Sequence, residues 1–438
     1  MQIKALKFGG SSLADAEQFK KVANIVKAED SRRYVVVSAP GKRFDGDTKI
    51  TDMLYEAYAI AEAGDDMSDV FAKIRGRFES IITGLGLDLD LSRDFDKISS
   101  AFYHHPGRDY AASRGEYLNG KIFAAYIGYD FIEPAKYIFF KEDGTFDSER
   151  TNDVLSAVLS EHEHAVLPGF YGSMPNGTIK TFSRGGSDIT GSIVARAAKA
   201  DLYENWTDVS GFLMADPRVV QNPRPIDEIT YRELRELSYM GAGVLHEDAI
   251  FPVRAAGIPI NIRNTNRPED RGTMIVPRSD YYNYETIITG IAGKKGLSVI
   301  NIEKDMMNSE IGFGRKVLEV LEDHGISFEH LPSGIDTMGV VVSNSEIADK
   351  SELIIKDITK SVHPDHISIE DGLALIAVVG RGMISAKGTA GRVFRAAAAK
   401  GVNIRMIDQG SSEINIIIGV DESDYVRAIE AIYEEFVK

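Results

Sequence analysis

Apolar and polar positions in the first part of the chain follow two alternating rhythms. Short apolar runs at Ile3–Phe8 and Tyr34–Ser38 predict buried strands, while Ala14–Ala28 between them places its apolar residues at helical spacing. A second helix is predicted from about Ile50, and helices again at Glu116–Tyr126, Asp188–Ala198 and Tyr231–Tyr239. Further strands are predicted at Tyr137–Phe140, Ala165–Leu167 and Ile258–Arg263. Strand and helix alternating in this way specify an α/β fold with a largely parallel sheet, running from Met1 to about Arg278. The stretch from Asp65 to Gly107 carries no recognisable chemistry and reads as a mostly helical excursion or lid.

Past Gly272-Thr273 the pattern changes, and Pro277-Arg278-Ser279-Asp280 has the composition of a domain boundary. A repeat follows. Its first copy reads strand Leu297–Lys304, helix Phe313–His324, strands Ile326–Leu331 and Gly339–Ser343, helix Asp349–Thr359 and strand His366–Glu370, a β-α-β-β-α-β unit. The second reads Leu373–Gly380, Thr389–Lys400, Val402–Ile407, Glu413–Val420 and Ser423–Phe436, and lacks the closing strand. A strand at Thr286–Ala292 is the economical candidate to close it. Residues 297–371 would then be one domain, inserted into a second made of 286–292 plus 372–438, with residues 1–280 forming the first domain of the chain.

Composition narrows the function. The 438 residues are too many for one core. With 66 acidic against 50 basic residues the formal charge is −16, which argues against nucleic acid or an anionic membrane as a main partner. An anionic substrate would have to be held by local positive groups. The absence of cysteine removes disulfides, thiolate metal sites and cysteine nucleophiles. No signal-peptide pattern and no apolar stretch of bilayer-spanning length is present, so a cytoplasmic protein is expected.

Four constellations carry candidate chemistry. Lys7-Phe8-Gly9-Gly10-Ser11-Ser12 lies where a strand gives way to a helix, and Ser12 with Asp15 forms a capping pattern. Two glycines there can cradle a phosphate beside the charge of Lys7, or simply make a tight turn with a surface lysine. Ser183-Arg184-Gly185-Gly186-Ser187-Asp188 repeats the arrangement at another loop-to-helix junction, with an arginine able to take a carboxylate or phosphate in a two-pronged bond. Thr207-Asp208-Val209-Ser210-Gly211 with Asp216-Pro217-Arg218 could meet a ribose, an adenine edge and a phosphate, or could be a turn with a surface arginine. In Ser113-Arg114-Gly115-Glu116, Glu116 is placed in the first turn of its helix, where a carboxylate either favours the helix dipole or binds an ammonium. The chain has no Gly-x-x-x-x-Gly-Lys-[Ser/Thr] loop and no protein-kinase signature, and its nine histidines form no metal-ligand pair on a helix. Gly312-Phe313-Gly314 and Gly380-Arg381-Gly382 lack the third glycine of a dinucleotide fingerprint.

Taken in order, these motifs resemble the aspartate kinases of the amino acid kinase superfamily over nearly the whole chain. Val35-Val36-Val37-Ser38-Ala39, Trp206-Thr207-Asp208-Val209, Gly241-Ala242-Gly243-Val244-Leu245-His246, Ile258-Pro259-Ile260 and Asn264-Thr265 with Gly272-Thr273 extend the likeness. The repeat is similar to the paired ACT domains of that family. The resemblance implies a three-layer α/β/α sandwich followed by two ferredoxin-like βαββαβ ACT domains. It also implies transfer of the γ-phosphoryl group of ATP, accompanied by Mg²⁺, to the β-carboxylate of L-aspartate. The product would be 4-phospho-L-aspartate, the first step toward lysine, threonine and methionine, and no fused homoserine dehydrogenase is expected.

Carried over motif by motif, the resemblance makes Lys7 and Asp188 the catalytic pair. Ser38, Thr51, Glu116, Arg184 and Ser187 become aspartate-binding residues. Gly9, Gly10, Ser11, Gly185, Gly186, Thr207, Asp208, Leu213, Arg218, Gly243 and Val244 become nucleotide-binding, and no protein-bound metal is implied. A carboxylate nucleophile needs no general base, which agrees with the missing triad. Three departures stand out: an insertion at Pro40–Ile50 before Thr51, Gly243 where many members have lysine, and Leu213 where an aromatic is common. Lys42 or Arg43 is the candidate to replace the missing charge. The resemblance places an effector at the interface of first ACT units from two subunits, here Met307, Glu310, Phe313, Phe328, Glu329 and Ser333, with Glu329 meeting an ammonium. Lysine is favoured over threonine, and a homodimer through the ACT domains, or a tetramer, is expected. The alternatives are another carboxylate kinase of the superfamily and a non-catalytic amino-acid sensor.

Overall fold

The computed structural model describes residues 2–183, 185–243, 245, 247–278 and 287–437. The boundary at Ser279-Asp280 and the start of the strand expected from Thr286 lie outside the described residues. The chain divides into two compact units. One comprises Met1–Phe212, Pro225–Tyr231 and Val244–Ser279; the other comprises Leu213–Arg224, Arg232–Gly243 and Asp280–Lys438.

The chain opens with β1 (Lys4–Phe8), α1 (Ala16–Lys27), β2 (Arg32–Val37), α2 (Ile50–Glu62), α3 (Ser68–Leu85), α4 (Ser92–Phe102) and α5 (Arg108–Ile127). It continues through β3 (Asp130–Phe131), α6 (Ser148–Ser160), β4 (Ala165–Pro168), β5 (Tyr171–Ser173), β6 (Ile179–Thr181), α7 (Gly186–Ala197) and β7 (Leu202–Thr207). Then come β8 (Glu228–Thr230), α8 (Tyr231–Tyr239), α9 (Phe251–Ala256), β9 (Ile260–Asn264) and β10 (Thr273–Val276).

In the first unit an eight-stranded sheet has the order β3-β4-β2-β1-β7-β9-β10-β8. Every pairing is parallel except β9 with β10. β1 lies centrally, and its register sets Lys7 beside Val36 on one side and Asn205 on the other. Covered on both faces, its apolar side chains Ala5, Leu6 and Phe8 are fully buried. Lys7 therefore sits near the carboxyl end of the central strand, where open parallel sheets place their ligands.

Helices α3 and α4 account for the stretch between Asp65 and Gly107, and they form core rather than a lid. Phe71, Ile74, Phe78, Phe95, Ile98 and Phe102 are buried in one cluster with Phe19 of α1, Leu54 of α2 and Phe123 of α5. Ring contacts such as Tyr58 with Phe102 and Phe78 with Phe95 tie that cluster together. The strand expected at Tyr137–Phe140 does not form. Pro134 starts a 3₁₀ turn through Lys136, and the residues after it make only single bridges, Phe139 to Ser173 and Phe140 to Phe146.

The second unit is built on β11 (Gly290–Glu303), α10 (Phe313–Asp323), β12 (Phe328–His330), β13 (Thr337–Ser343), α11 (Asn344–Ile347) and α12 (Ser351–Val362). It closes with β14 (His366–Val379), α13 (Thr389–Ala399), β15 (Ile404–Asp408), β16 (Asn415–Asp421) and α14 (Tyr425–Val437). Its six strands form one antiparallel sheet, β12-β13-β11-β14-β16-β15. The runs read from the pattern as Thr286–Ala292 and Leu297–Lys304 belong to a single strand, β11, and His366–Glu370 and Leu373–Gly380 to a single strand, β14. Gly290–Lys294 pairs with Leu375–Val379, and Leu297–Glu303 with His366–Leu373, across an irregularity between Lys294 and Leu297. The polar Asp371-Gly372 (Gly372 at φ +80°) and Lys294-Lys295-Gly296 pieces read as breaks in the sequence, yet the ladder continues through them.

Residues 232–243 belong to this second unit. The buried Glu233 carboxylate on α8 accepts from Arg381 N at 2.9 Å and Nη1 at 2.8 Å, and from Thr289 Oγ1 at 2.6 Å. Glu236 accepts from Asn415 Nδ2 at 2.6 Å.

Candidate active site

Three residues from three elements meet at the carboxyl end of the central strands. Lys7 Nζ lies 2.6 Å from Asp188 Oδ1 and donates to Asn205 Oδ1 at 3.5 Å, while Asn205 Nδ2 donates to Asp188 Oδ1 at 2.8 Å. Lys7 and Asn205 are neighbours because β1 and β7 pair in parallel, and Asp188 reaches them from the first turn of α7. Lys7 is buried, so its charge is little screened by water and can act strongly on an anion placed beside it.

The two glycine pairs frame this lysine in different ways. After β1 the chain enters a 3₁₀ turn at Gly10–Leu13, and the α-helix starts only at Ala16, capped by Asp15, whose carboxylate accepts from Gln18 N at 3.0 Å. Ser12 is not the cap: its hydroxyl is hydrogen-bonded to that of Thr265 at 2.8 Å. Gly9 N donates to Trp206 O at 3.1 Å, so that N–H already has a backbone partner, and Gly10 O accepts from Gly41 N at 2.8 Å. A Cβ on Gly10 would stand 2.8 Å from Ala39 O, which explains the glycine as a requirement of close backbone approach. Ser11 is exposed at the start of the turn.

Gly185, with φ 56°, caps α7, and Gly186 opens it with its N-terminal N–H groups unpaired within the helix. A Cβ on Gly186 would meet the Phe170 ring at 2.3 Å, and one on Gly169 would meet Ser187 at 2.7 Å. The start of α7 is thus packed tightly against the chain after β4. Ser187 is buried there.

Glu116 lies about two turns inside α5, not in its first turn, because the helix begins at Arg108 after the positive-φ Gly107. Its carboxyl is buried and receives hydrogen bonds from the Ala39 backbone, but Oε2 has no partner. Burial pushes its pKa up to about 8 against the opposing pull of those N–H groups and of Arg114. Arg114 is itself buried: it donates to Ser113 Oγ and lies over the rings of Tyr110 at 4.5 Å, Tyr117 at 4.7 Å and Tyr171 at 5.3 Å. Asn119, one turn along α5, donates Nδ2 to Ser38 O at 2.7 Å and leaves Oδ1 without a partner.

Ser38 therefore adjoins α5 through its carbonyl, and its N–H donates to Phe8 O at 3.3 Å. Thr51 is half-buried in the first turn of α2. Thr207 ends β7 and donates to the exposed Asp208 at 3.1 Å. Leu213, Arg218 and Gly243 fall in the second unit. Leu213 is exposed, and the exposed Arg218 turns back on Asp216 with Nη2 at 2.7 Å from Oδ2. Gly243 is also exposed. Arg184, Val244 and His246 lie outside the described residues. Of the candidate substitutes for charge, Arg43 is held by Asp47 at 2.9 Å and Lys42 is exposed.

In the second unit Met307 and Phe313 are buried core residues, whereas Phe328 and Ser333 are exposed. Glu310 joins Lys304 at 2.5 Å to Lys316 at 2.8 Å, and those two ammonium groups pull its carboxyl down to about 2. Glu329 pairs with Lys294 at 2.5 Å and accepts from Tyr239, and Lys294 also lies over the Tyr239 ring at 4.4 Å.

Reading the motifs gave Asn205, which precedes the Thr207-Asp208 constellation, no role, and passed over Asn119. Asn205 could have been found from the strand period: on β7 it shares a face with Thr207 and Tyr203, and the parallel partner of β7 carries Lys7. Nothing in the local sequence marks Asn119.

Comparison with known proteins follows these outlines. The Amino acid kinase family matches residues 2–264, and an ACT domain matches residues 376–436. Aspartokinase 3 of Bacillus subtilis (strain 168) is 40% identical over 456 residues, which span 99% of this chain and 98% of that protein. The crystal structure of Clostridium acetobutylicum aspartate kinase, described as an allosteric enzyme, matches with a TM-score of 0.93 at 51% identity over 100% of both chains. E. coli aspartokinase III, solved with aspartate and ADP, shares the fold at a TM-score of 0.76 and 24% identity over 100% of both chains.

Proposed function

Because this chain belongs to the aspartokinases of the amino acid kinase family, we propose a residue-level account of how it performs the aspartate kinase reaction. An oxygen of the aspartate β-carboxylate forms a bond to the γ-phosphorus of ATP. The bond to the bridging oxygen breaks, and its electron pair leaves with ADP. The nucleophile arrives ionised, so what the protein adds is alignment and stabilisation of phosphoryl charge.

The observation that carries this reading is the buried Lys7 held between Asp188 and Asn205, between the Gly9-Gly10 turn and the start of α7. Lys7 neutralises charge on the phosphates. Asp188 holds the ammonium in place. N–H groups of Gly10 and Ser11, and of Gly186 at the α7 terminus, face the anion, while Gly9 contributes its lack of a side chain. Glu116 takes the substrate ammonium at the free Oε2, Arg184 takes the α-carboxylate, and Ser38, Thr51 and Ser187 line that side. Thr207, Asp208, Leu213, Arg218, Gly243 and Val244 are assigned to the nucleotide. Asp188, engaged by Lys7 and Asn205, is an acidic group beside this phosphate position. Mg²⁺ would accompany the nucleotide and shield its phosphates.

An ADP-release assay of the full chain with ATP, Mg²⁺ and a panel of acidic amino acids tests the assignment. Lys7→Ala should lower aspartate turnover roughly 10²–10³-fold, the scale for losing one preorganised charge stabiliser. A variant with normal turnover would remove Lys7 from the mechanism.

For regulation, the same reading makes the second unit a sensor of an end-product amino acid at an ACT–ACT dimer interface, with lysine favoured over threonine. The pairing of Glu329 with the Lys294 ammonium supports this reading, since an effector ammonium would take the place of the alkylammonium that Glu329 already holds. The pathway position before lysine and threonine, a cytoplasmic location and division into residues 1–280, 297–371 and 286–292 plus 372–438 belong to the same proposal. Inhibition by millimolar lysine but not threonine is the expected result; indifference to both would end the regulatory part.

A further inference from the structure

Two stretches carry no role so far: the insertion at Pro40–Ile50 and the helices between Asp65 and Gly107. One side chain joins them. Arg77 of α3 is buried, and its guanidinium makes four hydrogen bonds to three acceptors on two separate loops. Nη2 reaches Gly41 O at 2.8 Å and Ala14 O at 3.1 Å, Nε reaches Ala14 O at 3.4 Å, and Nη1 reaches Asp47 Oδ2 at 2.9 Å. Asp47 is further held by Arg43, through Nε and Nη2 at 2.9 Å each and through its backbone N–H at 2.9 Å. These partners hold the Asp47 carboxyl far below the usual carboxylate range.

The two loops are the two walls of the turn after β1. Ala14 directly follows the 3₁₀ turn Gly10–Leu13. Gly41 lies against Gly10 backbone to backbone, donating its N–H to Gly10 O at 2.8 Å, and a Cβ on Gly41 would stand 2.6 Å from the Gly10 carbonyl carbon. That contact fixes the peptide plane of Gly10, and with it the direction of the neighbouring N–H groups. A planar guanidinium can span acceptors on both loops at once; a lysine ammonium, a point donor on a shorter stem, cannot hold the same spread.

We propose that Arg77, with Asp47 as its partner, is a positioning residue for phosphoryl transfer: it clamps the 40s loop onto the glycine turn and so sets the phosphate-facing N–H groups next to Lys7. This rests on the phosphate-side reading of Lys7 and the glycine turn. A buried arginine with a carboxylate also stabilises a fold. The clamp makes a narrower demand: its loss falls on ATP more than on aspartate, because its hydrogen bonds go to Ala14, Gly41 and Asp47 around the glycine turn, whereas Glu116 is carried by α5. A misplacement of about 1 Å at reacting groups is worth on the order of 10²-fold in rate.

The test uses the full-length protein. Arg77→Lys, Arg77→Met and Asp47→Asn are assayed for kcat and for KM of each substrate, and the affinity of a non-hydrolysable ATP analogue is measured by calorimetry. The clamp requires kcat/KM for ATP and analogue affinity to fall at least tenfold in Arg77→Met and less in Arg77→Lys. KM for aspartate should stay within about twofold. The Arg77→Met/Asp47→Asn double variant should be no worse than Arg77→Met. Arg77→Lys or Asp47→Asn carry the test if Arg77→Met does not fold. Wild-type nucleotide kinetics in these variants, or a loss shared equally with aspartate, overturns the proposal. Lys7→Ala, run alongside, separates the two readings: if it too binds the analogue and turns over normally, the phosphate-side assignment has failed, and otherwise only the clamp has.

Discussion

Glu116 joins the carboxyl group at the candidate site to a proton. With its pKa near 8 it is mostly protonated at pH 7 while the site is empty, since burial opposes the charge and only backbone N–H groups and Arg114 favour it. A substrate ammonium at Oε2 would reverse that balance. Aspartate binding at pH 7 should therefore release close to one proton, readable from calorimetry in buffers of different ionisation enthalpy, and aspartate affinity should weaken as pH falls below 8. Binding with no proton release would detach Glu116 from the ammonium. The sign for stability is opposite to that of a salt-bridged carboxylate. The folded pKa lies above the unfolded value, so the folded state binds the extra proton between about pH 4.5 and 8, and stability conferred by that proton is lost as pH rises through this window. Glu116→Gln should flatten this part of the stability profile of the unliganded protein.

Among the elements, α7 is held in place by the absence of side chains at its glycines. Gly186 at its start faces Phe170, a non-glycine residue held at φ 83°, and a Cβ there would come within 2.3 Å of the ring and 3.0 Å of the Phe170 Cα. Gly186→Ala should displace the helix terminus, cut kcat/KM for ATP at least tenfold and cost about 1–3 kcal/mol of stability, the usual price of overpacking. Gly391→Ala in α13 is the matching control. It meets no atom within 4 Å, and replacing a helix-interior glycine should stabilise by up to about 1 kcal/mol and leave uninhibited activity unchanged. Equal effects in both variants would show that packing at Phe170 does not hold α7 in place.

At the scale of the whole molecule, chain order and spatial grouping part company. Residues 213–224 and 232–243 come from the middle of the stretch that precedes the repeat, yet they belong to the second unit. The ion pair of buried Glu233 with half-buried Arg381 holds α8 there. Breaking one side of such a pair costs about 3–5 kcal/mol. Glu233→Ala should accordingly speed amide exchange in α8 and around Arg381, with β1 and α7 unchanged; unaltered protection of α8 would show that other contacts hold it.

The fold class, the largely parallel character of the first sheet and the duplication at the end were legible in apolar periodicity, because a strand covered on both faces and a helix covered on one leave distinct spacings. Lys7-Phe8-Gly9-Gly10 and Gly185-Gly186 were legible because the demand for a backbone without Cβ is written locally. Other features had no local signature. The continuity of β11 and β14 through Lys294-Lys295-Gly296 and Asp371-Gly372 depends on a partner strand. The burial of the helices after Asp65 depends on what packs over them. Asn205 joins Lys7 and Asp188 only through strand pairing, and Arg77 reaches Ala14, Gly41 and Asp47 only because α3 crosses both loops. By itself the sequence determined the strands and helices that carry the site, where glycine is obligatory and which charges are available. Which charges meet, how deeply Glu116 is buried and to which unit α8 belongs were decided by tertiary structure, because those properties depend on distances between residues far apart in the chain.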